Sequence, residues 1–108
     1  NKKNYVITRD KSLKDNKNVE FINTNHIEFI KELKKQKGKD IWLIGGGLVN
    51  TMLLNECLID ELQIFVMPII LQDGIDLFEN FPNLTELKQT ETINHDSGAV
   101  EIKYKILT

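Results

Sequence analysis

The chain has 108 residues and weighs 12.5 kDa, which suits one compact domain and is too short for two of ordinary size. Its 41% hydrophobic and 28% charged residues lie near the globular average, excluding a disordered or collagen-like chain. The net charge of −2 is uneven: residues 1–40 hold 11 Lys+Arg against 6 Asp+Glu, a net of +5, and residues 41–108 hold 3 against 10, a net of −7.

The basic end is read as a solvated face. Lys31, Lys34, Lys35, Lys37 and Lys39 fall on one predicted helix and its exit, where cations favour the helix C-terminus. No aromatic residues are interleaved with them, as single-strand binding would require, so no nucleic-acid partner is expected. The longest apolar runs, 41–44 and 64–71, fall far short of the ~20 residues of a membrane span, so no membrane partner is expected. A single cysteine, Cys57, allows no disulfide framework, and no secretory signal is visible; a cytoplasmic setting is expected. The chain opens on Asn1 without an initiator Met, as a piece of a longer chain would.

Taken in order, Tyr5-Val6-Ile7-Thr8 predicts a strand, residues 9–18 a polar loop, and Val19-Glu20-Phe21-Ile22 a second strand. Asn25 with Glu28 three residues on has the pattern of a helix cap, and Ile27, Phe29, Ile30 and Leu33 give the apolar stripe of the helix, which Gly38 is placed to end. Residues 40–44 (Asp-Ile-Trp-Leu-Ile) read as a strand buried on both faces, with Trp42 in the core. Gly45-Gly46-Gly47 follows. Residues 48–58 predict a second helix with Leu48, Met52 and Leu53 toward a core, and residues 62–70 a strand stopped near Pro68. Residues 72–74 form a turn and residues 76–82 an irregular or short helical stretch. Residues 86–94 and 99–107 predict a hairpin turning at His95-Asp96-Ser97-Gly98, with Val100, Ile102, Tyr104 and Ile106 on a buried face and Glu101, Lys103 and Lys105 on a wet one. This order argues an α/β fold as a single domain over residues 1–108, its sheet parallel in the middle and ending in an antiparallel hairpin.

Few residues carry chemistry. His26 and His95 lack clustered Cys, Asp or Glu at ligand spacing, so each is read as a surface residue and no metal site is expected. Cys57, late in an apolar helix, reads as a small buried hydrophobe. Ser12 and Ser97 have no partnered His, and Asp60-Glu61 and Asp73/Asp76 read as solvated loop acids; no nucleophile–base constellation assembles. The informative unit is strand–triple glycine–helix. Glycines let a ligand approach the backbone, and the following helix points free N–H groups at the same spot, where a phosphate can sit. Gly45 and Gly47 meet the first two positions of the dinucleotide fingerprint, but Asn50 stands at the third, and no P-loop Lys-Ser/Thr follows. The segment therefore reads either as an anion site or as a tight structural turn.

The run Ile41-Trp42-Leu43-Ile44-Gly45-Gly46-Gly47-Leu48-Val49 resembles the dihydrofolate reductase superfamily. Leu58-Ile59-Asp60-Glu61-Leu62, the strand into Pro68 and Gly74-Ile75-Asp76-Leu77-Phe78 are closer to the branch that contains the reductase domain of bacterial riboflavin biosynthesis. Tyr5-Val6-Ile7-Thr8-Arg9 resembles the strand of that family that ends at the adenosine part of the cofactor. The resemblance implies a dihydrofolate reductase-like mixed sheet with flanking helices and a C-terminal antiparallel hairpin, incomplete on its N-terminal side. It also implies an NADPH-dependent reductase acting by hydride transfer on a pteridine or a riboflavin-pathway pyrimidine, a small-molecule substrate. Carried over residue by residue, Gly45, Gly46, Gly47, Leu48 and Val49 line NADPH, at a turn that holds a cis Gly–Gly bond in relatives. The carbonyl of Ile44 faces the nicotinamide ring, and Thr8 and Arg9 meet the adenosine and its 2′-phosphate. The family's substrate carboxylate and central strands lie upstream of Tyr5, so no catalytic residue is assigned here. A chain without those strands is expected to repack, to pair with another copy as a homodimer or other homo-oligomer, or to have the missing part supplied, and by itself to lack turnover. The competing class is a non-catalytic α/β interaction module in which the glycines are only a turn.

Overall fold

The computed structural model describes residues 3–107. Its elements run β1 (Asn4–Ile7), β2 (Val19–Ile22), α1 (His26–Lys35), α2 (Gly47–Asn55), β3 (Glu61–Val66), β4 (Glu86–Asn94) and β5 (Val100–Leu107). They fall into two compact units that meet in the chain at Ile44 and Gly45. Since residues 41–44 are uncharged, the unit boundary is also the charge boundary, a net +5 before it and −7 after it. No helix among the described residues is long and apolar enough to cross a membrane.

In the first unit the β-branched runs at 5–8 and 19–22 pair as a two-stranded parallel ladder, Asn4 opposite Val19 through Ile7 opposite Ile22. The connection is not helical. Residues 8–18 are held by short polar side chains folded onto nearby amides: Asn16 Oδ1 accepts the N–H groups of Asn18 and Val19 at 2.9 and 3.1 Å, and Asp15 Oδ1 accepts that of Phe21 at 2.9 Å. The α1 stripe meets this ladder through Phe29, whose ring lies 5.1 Å from that of Tyr5. The expected cap is not made. Asn25 takes left-handed backbone (φ 51°, ψ 44°), and its side chain forms no capping bond, because a capping side chain needs an extended residue to reach the N2 or N3 amide. At the other end the chain turns extended at Gln36, before Gly38 is reached.

In the second unit β5 is the middle strand of an antiparallel sheet ordered β3-β5-β4. The turn sits where the sequence placed it: His95 N–H donates to Ala99 O and Gly98 N–H to His95 O, both at 2.9 Å, with Gly98 at φ 93°. One bulge, between Gln89 and Glu91, leaves Thr90 over, and its hydroxyl donates to Lys103 O at 3.2 Å. The alternation predicted for β5 fails at Glu101, which is only 7% exposed. A middle strand is screened on both sides, and Phe65 and Ile93 stand directly opposite Glu101 on its two neighbours. Its carboxylate is satisfied by Gln63 Nε2 and by His95 Nε2 at 3.1 Å, with Lys103 Nζ at 3.9 Å. His95, expected as a plain surface residue, thus joins a part-buried network and stacks on Phe65.

Five further expectations are corrected. Residues 41–44 form no strand: a strand exists through its partner's hydrogen bonds, and none of the described ladders includes this run. Trp42 and Ile44 are accordingly 80% and 75% exposed rather than core. Leu48, on the first turn of α2, is exposed, while Thr51 and Leu53 are the buried side chains of that helix. The helix ends at Asn55 rather than 58, and Cys57 is exposed. Leu58 N–H donates to Leu53 O and Cys57 N–H to Leu54 O, both at 3.0 Å, the paired bonds of a left-handed helix stop. The residue at the turning point, Cys57, has φ 57°, a conformation that glycine adopts without the Cβ penalty. Cys57→Gly is therefore expected to stabilise the chain by about 1 kcal/mol. A raised urea midpoint at unchanged slope is the result to look for, and an unchanged or lowered midpoint contradicts it.

Candidate functional site: a glycine turn and a strand-end turn

Thr8, Arg9 and Ile44 belong to the first unit, and Gly45, Gly46, Gly47, Leu48 and Val49 to the second. Within the first, Thr8 leaves β1 with its N–H donating to Ile22 O at 3.0 Å and its Oγ1 accepting the Asp10 N–H at 3.1 Å. Asp10 Oδ1 in turn accepts the Ser12 N–H at 2.8 Å and the Ser12 hydroxyl at 2.6 Å. The side-chain bond from Ser12, and then its backbone bond, hold the Asp10 carboxyl below its usual value of 3.8. Arg9 lies between these fixed residues with its side chain exposed. Ile44, at the far end of the unit, is also exposed.

In the second unit the glycines differ from one another. Gly46 is the cap residue of α2; its carbonyl accepts the Asn50 N–H at 3.0 Å, so the N–H groups of Gly47, Leu48 and Val49 precede the first intrahelical bond. No side chain caps this end, and its first turn carries no acidic residue. A Cβ on Gly46 would meet nothing within 4 Å. A Cβ on Gly47 would lie 2.5 Å from Glu79 Cγ and 2.6 Å from the Asp76 carbonyl oxygen. Gly47 is buried there, its own carbonyl accepting the Glu79 N–H at 3.1 Å. Asn50, the residue that breaks the dinucleotide fingerprint, donates to Leu77 O at 2.8 Å, and Asn55 bonds Phe81 O and the Asn83 N–H at 3.3 and 2.8 Å. The loop 76–83 is thereby laced along α2. Every described peptide bond is trans, so the cis Gly–Gly bond of the resembling enzymes is not present in this turn.

An apolar cavity of about 350 Å³ in the second unit is lined by Leu54, Leu62, Phe78, Leu87 and Ile106 among others, and by none of the expected cofactor residues. It is lined by no titratable side chain; Asn83 and Thr85 are its polar lining residues. No cluster of His, Cys, Asp or Glu able to hold a metal occurs among the described residues.

With this geometry in view, comparison with known proteins is decisive at the level of family. A model of the RibD C-terminal domain matches residues 1–100. The chain belongs to the RibD C-terminal domain family. Two Bacillus subtilis (strain 168) proteins, both uncharacterized, are similar to it: YyaP, 40% identical over 95% of this chain and 54% of its own length, and YwjB, 35% identical over 93% and 57%. The chain thus spans just over half the length of these relatives. A crystal structure of a Shewanella sp. PV-4 protein ascribed to riboflavin biosynthesis superposes with a TM-score of 0.76 at 21% identity, covering 96% of this chain and 60% of that one. At that identity the likeness is one of fold, and it supports the dihydrofolate reductase-like mixed α/β class.

Sequence reasoning on this RibD C-terminal chain found the glycine turn but not the division of labour inside it, because three consecutive glycines look alike until a neighbour is placed beside one of them. It also missed His26, whose Nε2 lies 3.0 Å from the Thr8 carbonyl oxygen, since nothing in the spacing of residues 8 and 26 announces the contact. Two outcomes follow. Gly47→Ala is expected to cost about 1–3 kcal/mol by overpacking, and Gly46→Ala to stay within about 0.5 kcal/mol of the parent; denaturant midpoints of the pair check this, and equal losses contradict it. For Asp10, the folded-state value is depressed. Its contribution is therefore present above the ordinary carboxylate range and lost as pH falls through a value below 3.8. The Ser12 amide resonance should report that late titration, and Asp10→Asn should abolish it; a midpoint above 3.8 is the contrary result.

Proposed function

We propose that this RibD C-terminal domain chain supplies the NADPH-holding part of a reductase that transfers hydride to a riboflavin-pathway pyrimidine or a pteridine. The observation that carries the reading is the head of α2. It has free N–H groups, no capping side chain, no acidic residue in its first turn, and open space in front of Gly46, in a chain of this family. This start is open on one side only: Gly47 is buried, with Glu79 Oε2 2.6 Å from where its Cβ would stand, so a pyrophosphate oxygen would approach past Gly46. Arg9 is exposed on a pinned turn in the basic part of the chain, and a guanidinium can hold the 2′-phosphate through two parallel bonds. Gly45, Leu48 and Val49, beside Gly46, complete the backbone that such a ligand would meet, and Ile44 leads into them. NADPH, when bound, supplies the hydride. What the chain's own residues do is bind and orient: backbone amides at the α2 start and a cation at residue 9.

Gly46→Ala separates ligand binding from folding, because its methyl meets no protein atom. It is expected to weaken NADPH binding at least tenfold, ~1.4 kcal/mol, in a chain with unchanged circular dichroism and thermal midpoint. Isothermal titration is the measurement. An unchanged dissociation constant in the folded variant would return the glycines to the role of a structural turn and favour an interaction module instead.

A further inference from the structure

Thr8 is the most completely tied residue at the end of β1. Its N–H is taken by Ile22 O at 3.0 Å, its hydroxyl oxygen by the Asp10 N–H at 3.1 Å, and its carbonyl oxygen lies 3.0 Å from His26 Nε2. The first two bonds are local or belong to the ladder. The third crosses 18 residues and joins the strand end to the first residue of α1. A carbonyl only accepts, so the bond requires a proton on Nε2, leaving Nδ1 as the unprotonated nitrogen of the neutral ring. His26 is half-buried, and the left-handed Asn25 before it turns the chain into α1 at this point. The Thr8 carbonyl is part of the peptide group that carries the N–H of Arg9. Fixing that carbonyl fixes the plane from which the Arg9 side chain departs, while the Asp10–Ser12 bonds fix the far side.

We propose that His26 is a positioning residue for Arg9: by holding the Thr8 carbonyl from the start of α1, it aims the guanidinium and so sets the preference for a dinucleotide bearing a 2′-phosphate. This rests on the reading of Arg9 as the phosphate-binding cation. A guanidinium gains its advantage over a point charge from direction, since the two-bond geometry with phosphate tolerates little rotation. Loss of the tether leaves the charge present but unaimed. The effect should fall on the 2′-phosphate alone and leave the rest of the dinucleotide untouched.

The test uses the whole chain and titrates NADPH and NADH separately against the parent, His26→Leu, His26→Gln, Arg9→Ala and the Arg9→Ala/His26→Leu double variant. Arg9→Ala should weaken NADPH tenfold or more and leave NADH within twofold. His26→Leu should weaken NADPH about fivefold with NADH unchanged, and His26→Gln, which keeps a donor, should recover most of that loss. The double variant should bind NADPH no worse than Arg9→Ala, because His26 acts only through Arg9. Nitrogen-15 spectra of the parent at pH 8 should show His26 protonated on Nε2 and not on Nδ1. The inference is overturned alone if Arg9→Ala weakens NADPH while His26→Leu does not. It is also overturned if His26→Leu weakens NADH equally, if the double variant loses both effects in full, or if the ring carries its proton on Nδ1. An Arg9→Ala chain with an unchanged NADPH-to-NADH ratio, or a parent chain that binds neither dinucleotide, removes the reading of Arg9 and this inference with it.

Discussion

The contact between Gly47 and the segment 76–79 is the constraint on which the second unit depends. With a Cβ position 2.5–2.6 Å from Glu79 and the Asp76 carbonyl, only hydrogen fits at residue 47. That close approach lets Gly47 O take the Glu79 N–H, and it brings Asn50 and Asn55 within reach of the backbone at Leu77, Phe81 and Asn83. A loop that would otherwise have to satisfy its polar backbone in water is instead bonded along a helix. The same docking defines what stays open. With residue 47 committed to the interior, Gly46 is left at the head of the helix with nothing within 4 Å of where a Cβ would stand. A packed and an unpacked glycine are thus set side by side by one packing event.

The first unit reaches a comparable result with different means. It has no large core, Ile22 being its one buried apolar side chain among the described residues. Its order comes from a parallel ladder, a tilted Tyr5–Phe29 ring pair and a set of short polar side chains that hold a loop where a helix would ordinarily cross. Such bonds are individually weak, around 1 kcal/mol, but they are directional, and direction is what a turn presenting an arginine requires. The net +5 of this unit favours an anionic ligand in general, whereas the bonds around Thr8 and Asp10 place one cation in particular.

Around Glu101 the usual sorting of polar and apolar residues is suspended. A carboxylate sits between Phe65 and Ile93 on the middle strand, and it is tolerated because Gln63 and His95 both bond it. His95 owes its place to the hairpin turn and its stacking to Phe65, so the network ties β3, β5 and the turn together.

Local chemistry was legible residue by residue. The strands at 4–7 and 19–22, the helix beginning at residue 26, the hairpin with its left-handed Gly98 and the glycine turn itself all follow from side-chain branching, periodicity and the conformational freedom of glycine, which act over a few neighbouring residues. The run 41–44 shows where such reasoning stops: its apolar residues favour a strand, but pairing needs a partner that periodicity cannot supply, and the run stays unpaired and exposed. Cys57 left the helix interior because a helix stop required a left-handed residue there, and Glu101 left the wet face because β5 acquired neighbours on both sides. The sequence by itself determined most of the elements, the place of the glycine turn and an arginine just past the first strand. Only the tertiary structure decided which glycine is packed, which is open, and that a histidine 18 residues away holds the turn bearing Arg9, because these depend on contacts between segments that no local preference encodes.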